Sequence, residues 1–235
     1  MGNKLKEFGL KLQSTVWSRR AETWEAMENP GLEQVVAAVI DHCDPKERDF
    51  AVDLGCGSGQ VLLPLAGSFG RIVGVDISPK MIELLDEKSK RFGLTNVEGM
   101  VAPLQKLSFP PASVDLVVSN YVLHHLSDDE KAALIRSAAK WLKPGGMIVI
   151  GDMMFGRGMT SEDRAIIKSK VTQFLKMGPP GWWRIAKNAG RFIFRLQEKP
   201  ISQAAWTRIF EGAGLLDISI TPVVNEAAVI VGRCS

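Results

Sequence analysis

From Phe50 onward, five short runs, FAVDL, RIVGVD, NVEGMV, SVDLVVSN and GMIVIGD, each lead into a turn or a helix-length segment. This alternation constrains the chain more than any other feature, because strands joined by helical crossovers pair in parallel and need helices on both faces of the sheet. Ser78-Pro79 supplies a helix start, with Pro79 in the first turn where its missing N–H costs nothing, and Lys143-Pro144-Gly145-Gly146 supplies a stop. Near the C-terminus the rhythm changes. LLDISITPVV and AAVIVGRC are separated only by Asn225-Glu226, which is the spacing of an antiparallel hairpin. The expected fold is α/β: a doubly wound, Rossmann-like seven-stranded sheet closed at one edge by that hairpin.

The 235 residues are enough for one large core without staples. The expected organisation is a single domain with a helical cap over 1–45, a core over 46–152, a helical insertion over 153–205 and a final helix and hairpin over 206–235. The cap carries Leu5, Phe8, Leu12 and Val16 near one helical face. An apolar content of 46% against 23% charged excludes global disorder. Cys43, Cys56 and Cys234 are odd in number and lack C-x-x-C spacing, so they suggest neither a disulfide framework nor a zinc site and fit a reducing compartment. No apolar run approaches the ~18 residues of a membrane span, and Lys4, Lys6, Glu7 and Lys11 punctuate the first residues. A cytoplasmic chain is expected, with peripheral membrane attachment kept open for the reason given below.

The run VDLGCGSGQ at 52–60 ends a strand and opens a helix, and Gly55, Gly57 and Gly59 let a ligand approach the backbone closely. A dinucleotide fingerprint would place glycine where Gln60 stands, and Asp53, two places before the first glycine, would repel a pyrophosphate. The loop therefore suits a ligand with an ammonium or sulfonium end.

With these residues in place, the chain resembles the class I S-adenosylmethionine (SAM) dependent methyltransferases, in the branch that includes small-molecule, quinone and lipid methyltransferases. The likeness covers about 48–152. It implies that VDLGCGSG lies under the methionine part of SAM, with Asp53 near its amino group. Asp76, in GVDISPKMI, would accept from both ribose hydroxyls, and Ile77 and Met81 would flank the adenine. WLKPGGMIVI matches the family's turn before the fifth strand, a structural mark. In VAPLQKLSF the side-chain acceptor that the family often offers the adenine amino group is absent, which leaves the backbone around Ala102 and Leu104 to meet the adenine edge.

Methyl transfer from a sulfonium is an in-line displacement for which the protein mainly supplies alignment, and a base is needed only when the acceptor must lose a proton. SNYVLHHL offers Asn120 at the end of the fourth strand as a cofactor contact, with Tyr121, His124 and His125 just beyond it. His124, His125 and Asp152 are the candidate bases, against the competing reading of the His pair as structural. His42 is read as surface or packing, and Trp17 and Arg20 belong to the segment expected to fold over the cofactor.

Segment 153–205 holds ten basic and three acidic residues although the whole chain carries only +3. Arg184, Lys187, Arg191 and Arg195 form one helical stripe, and Ile185, Ala189, Phe192 and Leu196 another. Two readings stay open: a lid helix with a solvated cationic face, and an interfacial helix over 182–196 on anionic lipid, anchored by Trp182 and Trp183. The charge pattern does not favour a nucleic-acid partner, since the rest of the chain adds no basic surface. The expected activity is methyl transfer from SAM to a small, apolar or amphiphilic acceptor. The alternatives are a membrane-associated lipid or quinone methyltransferase and, from another class, a SAM-binding regulator without catalysis.

Overall fold

The computed structural model describes residues 2–25, 30–43, 48–156, 198–224 and 226–235, together with 164, 168, 171, 172 and 175. Trp182, Trp183 and the basic stripe over 182–196 lie outside the described residues, as does Asn225. The strands are β1 (Arg48–Leu54), β2 (Phe69–Asp76), β3 (Val97–Val101), β4 (Val114–Asn120), β5 (Leu142–Met153), β6 (Leu216–Val224) and β7 (Ala227–Arg233). They form one sheet in the order β3-β2-β1-β4-β5-β7-β6. Pairings from β3 to β5 are parallel, while β7 runs antiparallel to both β5 and β6. The seven strands and the terminal hairpin are as the sequence predicts.

The period-two alternation of each central strand divides the apolar side chains between two cores. On one face Val52, Leu54, Val117, Ile148 and Ile150 pack with α5 (Asp128–Trp141) and α6 (Gln203–Gly212) through Leu134, Ile135, Ala138, Trp206 and Phe210. On the other, Ala51, Leu116, Val118, Met147 and Val149 meet Val35 and Val39 of α2 (Pro30–His42) and Ile82 and Leu85 of α4 (Pro79–Arg91). Burying these side chains removes apolar area at about 25 cal/mol per Å², the main favourable term holding the layers. Local signals agree. Ser78 caps α4 by accepting from Met81 N, with Pro79 at its first position. Ser127 and Glu130 form a capping box at the start of α5.

The N-terminal segment, expected as one helical cap, forms two helices that pack differently: α1 (Gly2–Glu25) lies on α4, while α2 covers the sheet through β4, β5, β6 and β7 and adds Leu32 to the lining of the cleft beyond the strands. Its own sequence explains the difference: Leu32, Val35 and Val39 make a continuous buried stripe. α1 is far more polar, and its Leu12 is 56% exposed. His42, at the end of α2, bonds Ala38 O at 2.7 Å and Thr221 Oγ1 at 3.1 Å, a packing role. No helix among the described residues is long and apolar enough to cross a membrane.

Candidate cofactor and acceptor cleft

The strand order reverses direction at β1, which lies between β2 and β4, so a crevice opens beyond the carboxyl ends of these strands. Ser119 Oγ donates to Leu54 O at 2.7 Å and ties β4 to β1 at that point. The cleft there has an empty volume of about 1000 Å³ counted to its open mouth. It is lined from α1 by Gln13 and Trp17, from the end of β1 and the glycine loop by Asp53, Gly55 and Gly57, from the end of β2 and the start of α4 by Asp76, Ile77 and Met81, and from the end of β4 and the turn after it by Asn120, Tyr121 and His125.

The loop after β1 turns because its first amides are taken by β2: Gly55 N and Cys56 N both donate to Val75 O, at 2.7 and 3.0 Å. Gly57 sits at φ +52°, and a Cβ there would meet nothing nearer than Met81 Sδ at 4.0 Å, because it would project into the cleft. Gly59 does not line the cleft; a Cβ there would strike Leu85 and Leu63 within 3.0 Å, so this glycine serves helix packing. Asp76 accepts from Gly57 N through Oδ2 at 3.1 Å and from Ser78 N through Oδ1 at 2.8 Å. Each of its oxygens keeps acceptor capacity for a ligand.

Asp53 is almost wholly buried. Burial, and then the charge of Asp76, raise its carboxyl to about 8. Burial also raises Asp76, and the amides of Ser78, Gly57 and Ile77 pull against that shift. The same burial and the same two carboxyls push the Cys56 thiol up, which keeps it protonated and unreactive. Among the described residues lining the cleft there is no lysine or arginine. Asn120 Oδ1 is buried there without a hydrogen-bond partner among the described residues. A cleft lined by two carboxyls and, among the described residues, by no fixed cation presents a site for a cationic ligand.

Of the three candidate bases, only His125 borders the cleft. Its ring lies 5.4 Å from Trp17 and 4.1 Å from His124. His124 and Asp152 turn inward and bond each other: Nδ1 to Oδ1 at 2.6 Å, with His124 N donating to Oδ2 at 2.9 Å and Met153 N to Oδ1 at 2.7 Å. Both are buried and neither lines the cleft, so of the expected bases the structure brings His125 alone to it. The two bonds to Asp152 hold His124 toward the sheet, while His125 and Leu126 beside it face the cleft. Leu104 lines the cleft but Ala102 does not, and the Ala102 amide is occupied by Asp76 O at 2.9 Å. Tyr121 is held at φ +53°, a strained conformation for a bulky residue, and burial raises its phenol, so it stays a donor. Gln105 lines the cleft with no motif to announce it. Arg20 is exposed and outside the cleft.

Residues 51–146 match the family described as methyltransferase domain. An arsenite methyltransferase of Aquipseudomonas alcaligenes is 35% identical over 140 residues, covering 55% of this chain and 38% of its own length. The aklanonic acid methyltransferase DauC of a Streptomyces species is 36% identical over 123 residues, covering 51% of this chain and 55% of its own length. The chain thus spans about half or less of these curated relatives. Among solved structures, the DhpI–SAM–HEP complex superposes with a TM-score of 0.67 at 19% identity, covering 96% of this chain and 97% of the other. A SAM-dependent methyltransferase from Aquifex aeolicus does so at 0.62 and 18%, covering 92% and 98%. Residues 51–146 are thus similar to a methyltransferase domain, carried in the fold that these solved structures share.

Proposed function

We propose that this chain binds SAM in the cleft and transfers its methyl group to a small, apolar or amphiphilic acceptor. The observation that carries the reading is that Asp53 and Asp76 line one cleft which has no lysine or arginine among its described lining residues. Those acceptors fit a ligand carrying an ammonium, a sulfonium and a ribose diol. Asp76 would hold the diol, Asp53 and Asn120 the ammonium end, and Ile77, Met81 and Leu104 the adenine faces. When bound, the cofactor supplies an electrophilic methyl carbon.

The chain's own contribution is alignment and exclusion of water. Trp17, Val122 and Leu126 wall the cleft beside His125, so an acceptor would meet mostly carbon there. His125 is the titratable side chain on that wall and would take the proton of a hydroxyl or ammonium acceptor. The relatives are named for acceptors as unlike as arsenite and aklanonic acid, so the acceptor is not inherited with the domain. The test pairs calorimetry of SAM binding with a metabolite extract and isotope-labelled SAM. Binding together with a product that gains one labelled methyl is expected. Binding without any labelled product would overturn the enzymatic reading in favour of a regulator.

A further inference from the structure

Lys131 in α5 has no exposed surface and is among the largest fully buried side chains. Its position is adverse twice over. An ammonium without water costs free energy, and the first turns of a helix carry positive partial charge. Three acids in that turn, Asp128, Asp129 and Glu130, soften the second penalty. The first is met by contacts: Nζ donates to Leu126 O at 2.8 Å and to Lys199 O at 2.7 Å, with Asp128 Oδ1 at 3.6 Å. Those carbonyls belong to segments far apart in sequence. Leu126 walls the cleft next to His125, and Lys199 belongs to the stretch leading into α6. A second bond joins the same segments, Lys199 N donating to His124 O at 2.6 Å.

We propose that Lys131 is a positioning residue for the acceptor wall. Its ammonium clamps the turn bearing His124, His125 and Leu126 against residues 198–201, so the direction of His125 into the cleft is set from behind. Asp152 fixes the same turn from the sheet side through His124. A helix N-terminus alone would not select a lysine at this place, whereas two carbonyls needing one shared donor would. The effect on an acceptor rests on the methyltransferase reading, but the clamp does not.

The test uses the three histidines of the chain, His42, His124 and His125, as reporters. Selective ¹³C labelling gives one ring signal for each, assigned by His42→Gln and His125→Gln. In Lys131→Met the His125 signal is expected to move by more than its linewidth while that of His42 stays, and Lys131→Arg, which keeps a donor, is expected to restore it partly. SAM affinity measured by calorimetry should remain within about twofold, because Lys131 does not line the cleft. A His125 signal unmoved in a folded Lys131→Met protein overturns the proposal. If that variant does not fold, hydrogen exchange in the unaltered chain decides: the Lys199 amide must exchange slowly, and exchange at the rate of an unstructured amide overturns the clamp. Failure of the unaltered chain to bind SAM would instead strike the methyltransferase reading and leave the histidine signals to judge the clamp.

Discussion

Asp53 and Asp76 face one cleft from the ends of neighbouring parallel strands, and the charge of Asp76 adds to burial in raising the Asp53 carboxyl to about 8. A group whose folded-state pKa lies above its unfolded value holds a proton that the unfolded chain has already lost. For Asp53 that window runs from the ordinary 3.8 to about 8, and across it stability falls as pH rises.

A cation bound beside Asp53 reverses this preference by favouring the ionised form. SAM affinity should therefore rise from pH 6 to about 8, with release of up to one proton per cofactor bound below the Asp53 pKa. Calorimetry in buffers of different ionisation enthalpy measures the release. Asp53→Asn should abolish the Asp53 part of this pH dependence, weaken binding, and raise the thermal midpoint at pH 8, a gain in stability against function. A pH dependence equal in both proteins would remove Asp53 from the ligand.

Asp76→Ala should weaken SAM binding by roughly 1.5 to 3 kcal/mol, the scale of hydrogen bonds to a charged group. It should also cost stability, because Gly57 N and Ser78 N lose their acceptor. Titration calorimetry reads the first effect and thermal denaturation the second. NAD should not compete with SAM, since a pyrophosphate would meet two carboxyls and no lysine or arginine among the described residues lining the cleft.

Gly57→Val separates ligand space from packing. The backbone at φ +52° disfavours any L side chain by about 1 to 2 kcal/mol, and a β-branched one more. Yet among the described residues other than its two chain neighbours the nearest atom to such a Cβ is Met81 Sδ at 4.0 Å, so the added bulk would enter the cleft and not the core. The expected result is a folded protein that no longer binds SAM. Gly59→Val should behave differently and destabilise the protein, because Leu85 and Leu63 already fill that space.

The parts of this site that could be read from the sequence are those fixed by backbone chemistry. Glycines at positive φ, an acid closing a strand, and Ser-Pro at a helix start each have one local solution, and the sheet places them together. His124 and His125 are the contrary case. Nothing in LHHL says which ring faces the cleft, because the answer depends on Asp152, 28 residues away and reached only through sheet pairing. The place of α2 is hard to read for a similar reason. Its apolar stripe predicts burial but not the surface that it covers, whereas α1 owes its place to a few contacts, such as Ser18 Oγ with Ser78 Oγ at 2.9 Å. Lys131 gives no sequence signal at all, since a lysine in an exposed-looking first turn is ordinary until tertiary contacts enclose it.

The histidine pair yields the last prediction, a division between stability and turnover. Asp152 accepts from His124 N, His124 Nδ1 and Met153 N, all buried. Asp152→Ala would leave these groups unsatisfied and should cost roughly 3 kcal/mol or more. In a chain of 235 residues that lowers the thermal midpoint by roughly 6 to 12 °C. His125 contacts Trp17 at the cleft wall, so His125→Asn should shift the midpoint far less. Its effect should fall on methyl transfer, and for an acceptor that must lose a proton the loss should be about 10² to 10⁴-fold. Measured together, equal losses of stability in the two variants would place His125 in the same structural unit as His124. A transfer rate unchanged in His125→Asn would mean that the acceptor arrives already deprotonated, leaving the cleft to align it and exclude water.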